Sequence, residues 1–257
     1  MIAPLDSFRT RDTWEEHARP KIWTHKCRQA GRSLMVAHRG TFAVAPGSTR
    51  AAFRIPRDRG TDGIETELWL AAGSMVVCRH DANLRDVDGQ LVLLSAMPRE
   101  AVRTACPTIP DLAEALEIGL PMYRDIKARE LSRLPKVVSV PAIACAPSRF
   151  MVAVLPVTAA CALRKAVPIL NRTDGKRCGF RFSRTYWGWI HASRATALAA
   201  LRSLGLRVMI TCAVGDGLVG DNNPAELDRF KVLAPDAFVL NDPALAVVPF
   251  KRKHSDG

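Results

Sequence analysis

The chain is short of acidic residues, of aromatic rings and of long apolar runs, and each shortage narrows what it can do. Asp and Glu number 25 against 37 Lys and Arg, a formal net charge of +12. That surplus favours anionic partners such as nucleic acid, anionic lipid surfaces or a phosphorylated substrate. Aromatic residues make up only 6% of the chain. The basic clusters Arg54, Arg57, Arg59 and Lys251, Arg252, Lys253 have no rings interleaved with them, so no specific nucleic acid partner is expected. The longest nearly apolar stretch, Phe150 to Leu163, contains Pro156 and is too short to cross a bilayer. A signal peptide needs an apolar core where this chain has Asp6, Arg9, Arg11 and Asp12. The seven cysteines are odd in number, include no Cys-x-x-Cys pair, and mostly lie in apolar surroundings. They do not form a disulfide framework and point to a reducing, cytoplasmic compartment.

What is present is an ordinary globular composition over 257 residues, 48% apolar and 24% charged. Residues 1–33 read as a polar lead-in with a short helix near Asp12, packed on the domain through Trp14 and Trp23. From there short apolar runs alternate with helical patterns, the signature of βα units. Strands are expected at "SLMVAHRG", "DGIETELWL", "MVVCRHD" and "PMYRDIK". Helices are expected from Thr49 to about Arg57, at "SAMPREAVR", and at "TIPDLAEALEIG", the last capped by Asp111 or Thr108 and stopped at Gly119. The turn "AAGS" leaves so little chain between the second and third runs that residues 61–80 also resemble a hairpin. Further strands are expected at "KVVSVPAIA", "RFMVAVLP", within "GFRFSRTYWGWI", at "LRVMITCAV" and at "DAFVLND", with helices at "SRATALAALRSLG" and "NPAELDRFKVLA". No repeat or linker divides residues 34–250, and residues 251–257 read as a frayed tail. The fold class expected is α/β, a (β/α)8 TIM barrel in a single domain, with an open doubly wound sheet as the other arrangement.

In a barrel, reactive residues gather at the C-terminal ends of the strands, and His38, His80, Lys127 and Asp242 follow that rule. Glu65 and Glu67 are two apart on a strand and point to one face. Two carboxylates facing inward call for a cation, and a hard divalent ion, Mg²⁺ or Ca²⁺, with a third oxygen from Asp125, satisfies them. On an edge strand the same pair is merely solvated. His38 and His80 can each be satisfied structural residues. Together they offer the base and the acid that phosphodiester cleavage needs, in either order. Arg39 and Lys127 supply cationic contacts to phosphate oxygens.

"VAHRG", the Glu-x-Glu strand, "RHD", "PTIPDLAEAL", "RDIK" and "APDAFVLNDP" stand in one order from about Leu34 to Pro243. In that order they resemble the glycerophosphodiester phosphodiesterase family. The resemblance implies a TIM barrel that hydrolyses a small anionic phosphodiester to glycerol 3-phosphate and an alcohol with a divalent metal. Carried over by position, His38 and His80 match the acid/base pair and Arg39 the phosphate contact. Glu65, Glu67 and Asp125 match the metal carboxylates, and Lys127 the lysine after the third ligand. Three departures stand out. The ligand order here is Glu, Glu, Asp where the family reads Glu, Asp, Glu. Gly47 and Ser48 replace an acidic residue and an asparagine. Ile210 is expected where a tryptophan usually stands near the glycerol, which implies a less polar or differently shaped alcohol group. The short stretch from Asp81 to Pro107 leaves no room for a sizeable inserted subdomain. Related toxins form cyclic phosphates, so a lyase or another enzyme of phosphorylated small molecules is an alternative, as is a catalytically silent anion-binding barrel.

Overall fold

The structure is a computed structural model that describes residues 32–127, 150–153, 187–191, 207–211, 225, 227–228 and 235–243. The expected helix near Asp12, the strand "KVVSVPAIA", the helix "SRATALAALRSLG" and the C-terminal tail lie outside the described residues. No described helix is long and apolar enough to cross a membrane.

Ten strands are described: β1 Leu34–Ala37, β2 Gly63–Leu70, β3 Val76–Cys78, β4 Asn83–Arg85, β5 Leu91–Leu93, β6 Met122–Ile126, β7 Phe150–Ala153, β8 Trp187–His191, β9 Arg207–Thr211 and β10 Ala237–Leu240. The α-helices α1 Arg50–Asp58, α2 Arg99–Ala105 and α3 Leu112–Glu117 accompany them. The main sheet runs β7-β6-β2-β1-β10-β9-β8, and every pairing along that path is parallel. The first and last described strands therefore pair in the middle of the sheet, where β1 lies between β2 and β10. Strands β1 and β10 are fully buried, as parallel strands covered on both faces must be.

The third expected barrel strand is where the structure departs from the sequence reading. β3 pairs antiparallel with β2, with Leu68 opposite Cys78 and Leu70 opposite Val76. Residues 63–78 thus form a hairpin, where the sequence reading expected β3 as a further barrel strand. The physical cause lies in the hairpin's turn: Gly73 and Ser74 are both left-handed (φ 71° and 70°). Consecutive positive φ values match the twist of an antiparallel pair, not of a crossover. β2 therefore continues past the parallel sheet at Leu68–Leu70, and β3 brings the chain back.

Beyond it a second hairpin, β4–β5, turns at Gly89, with the Asp86 carboxylate accepting from the Asp88 and Gln90 amides. This hairpin and α2 occupy the stretch before Pro107, and their apolar faces (Leu84, Leu94, Met97, Val102) pack with Val77 and Ile109 in one cluster. α3 begins at a capping box: Asp111 accepts from the Glu114 amide, and the Glu114 carboxylate accepts from the Asp111 amide. Arg50 and Arg103 clamp Glu114, tying α1 and α2 to α3.

Candidate active site

Parallel register sorts the side chains. Ala37 stands opposite Ile64, and Glu65 and Glu67 stand opposite Tyr123 and Asp125. Alternation then puts His38, Glu65, Glu67, Tyr123, Asp125 and Lys127 on the inner face of the sheet. Ile210 stands opposite Phe238, which stands opposite Met35. These residues take the other face. Ile210 therefore points away from the carboxylates, and the expectation that it shapes the alcohol site is corrected.

The turn after β1 is held by a close approach to α1. Thr49 caps the helix, its hydroxyl accepting from the Ala52 amide. Pro56 lies inside the helix and has no N–H to give to the carbonyl four residues back. That carbonyl, of Ala52, accepts instead from the Thr41 amide at 3.0 Å. A Cβ on Gly40 (φ 81°) would sit 2.5 Å from the same oxygen, so only glycine allows the contact. Arg39 just before it is left-handed (φ 51°), and its amide donates to Glu65 Oε2 at 3.1 Å. Its guanidinium lies over the Phe42 ring, and its Nε is 3.5 Å from Glu67 Oε1. At Gly47 a Cβ would meet Phe42 at 2.7 Å, so the position that departs from the family pattern is the one that lets this ring and Arg39 close together.

His38 is buried, its Nδ1 2.6 Å from Asn241 Oδ1 and its Nε2 3.9 Å from Glu65 Oε2. Glu65 and Glu67 are buried as well. His38, Glu65 and Glu67 each offer a ligand atom, all within 4.8 Å of one another, a set able to hold a metal ion. Asp125 is level with Glu67 in the sheet but is not one of those three; its Oδ2 is 2.5 Å from Lys127 Nζ.

Burial first, and then the charge of Glu67, hold the Glu65 carboxyl well above the usual carboxylate range. Burial lowers the His38 imidazole, against the opposing hydrogen bond to Asn241. It also raises the Tyr123 hydroxyl, with Asp125 and Glu65 adding to the effect. Lys127 is raised: burial works against its charge, and the Asp125 carboxylate outweighs it. Glu67 Oε2 and Asp125 Oδ1 are buried with no hydrogen-bond partner. Orphaned carboxylate oxygens of this kind are costly without a cation, so the residues present fit a divalent metal.

His80 arrives differently. The Arg79 amide donates to the Glu67 carbonyl, so the return strand delivers His80 beside Glu67, with its Nε2 3.7 Å from Glu67 Oε1. Its Nδ1 is 2.8 Å from Asp81 Oδ1, and its carbonyl accepts from the Trp69 indole. The His80 side chain is 45% exposed where that of His38 is 7% exposed. Asp242 pairs with Arg59 at 3.5 Å.

Asn241 is the site residue that the sequence reading missed. Its one legible signal is its place just beyond the C-terminal end of β10, inside "LNDP".

No family model matches the chain. It is 35% identical over 74 residues to a Mycobacterium tuberculosis protein named "Probable glycerophosphodiester phosphodiesterase 1", a stretch covering 29% of this chain and 27% of that protein. Over 63 residues it is 35% identical to a glycerophosphodiester phosphodiesterase of Arabidopsis thaliana, covering 24% of this chain and 17% of that one. The matched stretches thus span about a quarter or less of those relatives. Among solved structures, an Oleispira antarctica phosphodiesterase in complex with the product sn-glycerol-3-phosphate superposes with a TM-score of 0.67 at 17% identity, covering 85% of this chain and 97% of that one. The glycerophosphodiester phosphodiesterase of Agrobacterium tumefaciens gives 0.64 at 18%, covering 84% and 100%. The fold is the single-domain (β/α)8 barrel of these enzymes, and the resemblance to the glycerophosphodiester phosphodiesterase family is borne out on sequence and on fold.

Proposed function

We propose that this chain is a divalent-metal-dependent phosphodiesterase that cleaves a glycerophosphodiester, or a similar small phosphodiester, to a phosphomonoester and an alcohol. The observation that carries the reading is the meeting of His38, Glu65 and Glu67 within 4.8 Å on a barrel shared with such enzymes. In this reading Glu65, Glu67 and Asp125 hold the metal, with Mg²⁺ or Ca²⁺ favoured by the carboxylate oxygens. When bound, the ion supplies Lewis-acid polarisation of the phosphate and offsets its charge.

His38, kept neutral by burial, takes the proton of the attacking hydroxyl or water. His80, at the more open side of Glu67, returns a proton to the departing alkoxide. Arg39 and Lys127 bind the non-bridging oxygens. The phosphodiester arrives as an anion at a chain of net charge +12, which favours its approach. The proposed compartment is the cytoplasm, consistent with the free thiols of Cys78 and Cys106.

The test is hydrolysis of glycerophosphocholine followed by phosphorus NMR, with EDTA and after adding back Mg²⁺ or Ca²⁺. Metal-restored release of glycerol 3-phosphate is expected. A cyclic phosphate as end product would replace the hydrolase with a lyase. No turnover of any diester, together with no metal binding by calorimetry, would sink the reading.

A further inference from the structure

The two nitrogens of the buried imidazole meet groups of one kind. Nδ1 of His38 lies 2.6 Å from a carboxamide oxygen of Asn241, and Nε2 lies 3.9 Å from a carboxylate oxygen of Glu65. A neutral imidazole has one N–H and one lone pair. A proton on Nε2 would leave the Nδ1 lone pair pressed against the Asn241 lone pairs at hydrogen-bond distance, in a site too buried for water to relieve it. A proton on Nδ1 makes a short, buried hydrogen bond and frees Nε2.

Asn241 is well placed for this task. It is 3% exposed, and its own carbonyl accepts from the Ala43 amide at 3.2 Å. The residue before it, Leu240, accepts from the His38 amide at 2.8 Å and pairs in register with Ala37. Two successive residues at the end of β10 thus hold His38, one by its backbone and one by its ring. A one-residue slip between β1 and β10 would turn Asn241 to the other face. The residue type also matters. An amide offers the acceptor without adding a further carboxylate to a buried group that already contains Glu65 and Glu67.

We propose that Asn241 is a positioning residue for the phosphodiester cleavage argued above: its carboxamide oxygen fixes the His38 proton on Nδ1 and so keeps the Nε2 lone pair facing Glu65 and the reacting phosphate. The role in turnover rests on the proposed function; the tautomer does not.

The experiment uses the full chain, labelled with nitrogen-15, and reads the His38 ring nitrogens by two-bond proton–nitrogen correlation near pH 8. Native protein and Asn241→Asp, which retains the acceptor, are expected to show Nδ1 protonated. Asn241→Leu is expected to lose that preference, and its kcat to fall roughly ten- to hundredfold, with part of the loss recovered in Asn241→Asp. Native protein with the proton on Nε2, as an Asn241 turned to present its NH₂ would give, overturns the assignment. So does Asn241→Leu with Nδ1 still protonated. A changed tautomer with unchanged kcat overturns the positioning role. If Asn241→Leu does not fold, the native spectrum and Asn241→Ala decide the same question. A native chain with no diesterase activity but with Nδ1 protonated would fail the function and leave the tautomer standing.

Discussion

The two histidines of the candidate site occupy opposite kinds of ground. His38 sits at the end of a fully buried parallel strand, with a neutral amide on one nitrogen and a fixed backbone on both sides. His80 stands at the end of a short antiparallel return strand, half open to solvent, with a carboxylate on its inner nitrogen. His38 faces Glu65 and His80 faces Glu67, its neighbour on the same strand face. The difference teaches that one barrel supplies two imidazoles in two states of solvation. One is buried, with its charged form disfavoured; the other is left where water can reach it.

Removing each histidine is the strongest way to break the comparison. His38→Ala and His80→Ala are each expected to lower kcat by roughly 10²- to 10⁴-fold. Urea unfolding should then separate them. His38→Ala strips a buried ring from Asn241 and costs about 1–3 kcal/mol, while His80→Ala stays within about 0.5 kcal/mol. Equal destabilisation would erase the contrast.

Backbone substitutions sharpen it. Gly40→Ala forces a Cβ onto the Ala52 oxygen behind His38 and should cost several kcal/mol, about 2–4 by thermal unfolding. Gly73→Ala, in the hairpin turn that carries His80, has the same left-handed φ but open space, and should cost about 1 kcal/mol.

The glutamates belong with the buried side. Glu65 is held protonated above the usual carboxylate range, so the folded state keeps a proton that the unfolded chain has released. The contribution of Glu65 to the stability of the metal-free protein is therefore fully present below the ordinary glutamate value. It should fall as pH rises from there through the raised folded value. Saturating Mg²⁺ or Ca²⁺ should offset the fall, by about 2.7 kcal/mol at a hundred times Kd. Melting curves across pH with and without the metal measure this, and an unchanged profile would remove the metal from Glu65.

The smallest effect is expected at Asp81. Burial opposes its charge only weakly, and the His80 hydrogen bond holds its carboxyl below the usual range. Asp81→Asn keeps the side chain's shape and should reduce kcat by about tenfold or less, since the pair is largely exposed.

Much of this was legible in the chain. The runs that became β1, β2, β6 and β10 show their apolar pattern without ambiguity. Thr49, Asp111 and Gly119 act at helix ends as their chemistry predicts. The shared face of Glu65 and Glu67 follows from a spacing of two. β3 was harder, because three apolar residues look alike in a parallel or an antiparallel partner. The deciding feature was the pair of left-handed residues at Gly73 and Ser74. The β4–β5 hairpin has its signal in Asp88-Gly89. Asn241 had only its place just beyond β10 as a signal, since its meaning comes from a strand pairing between distant parts of the chain. Ile210 was misplaced for a related reason: which face a strand residue takes depends on register with its neighbours.

The separation of His38 and Asn241, 203 positions apart, gives the site an order of assembly. Both histidines and all three carboxylates are made within the first 127 residues. A chain emerging from the ribosome therefore holds every group of the proposed chemistry long before β10 exists. The ring proposed as the base then lacks the Asn241 acceptor on Nδ1, and its strand has an open edge where β10 will pair. In the proposed chemistry, full turnover waits on the docking of β10, the strand that brings Asn241 to the His38 ring.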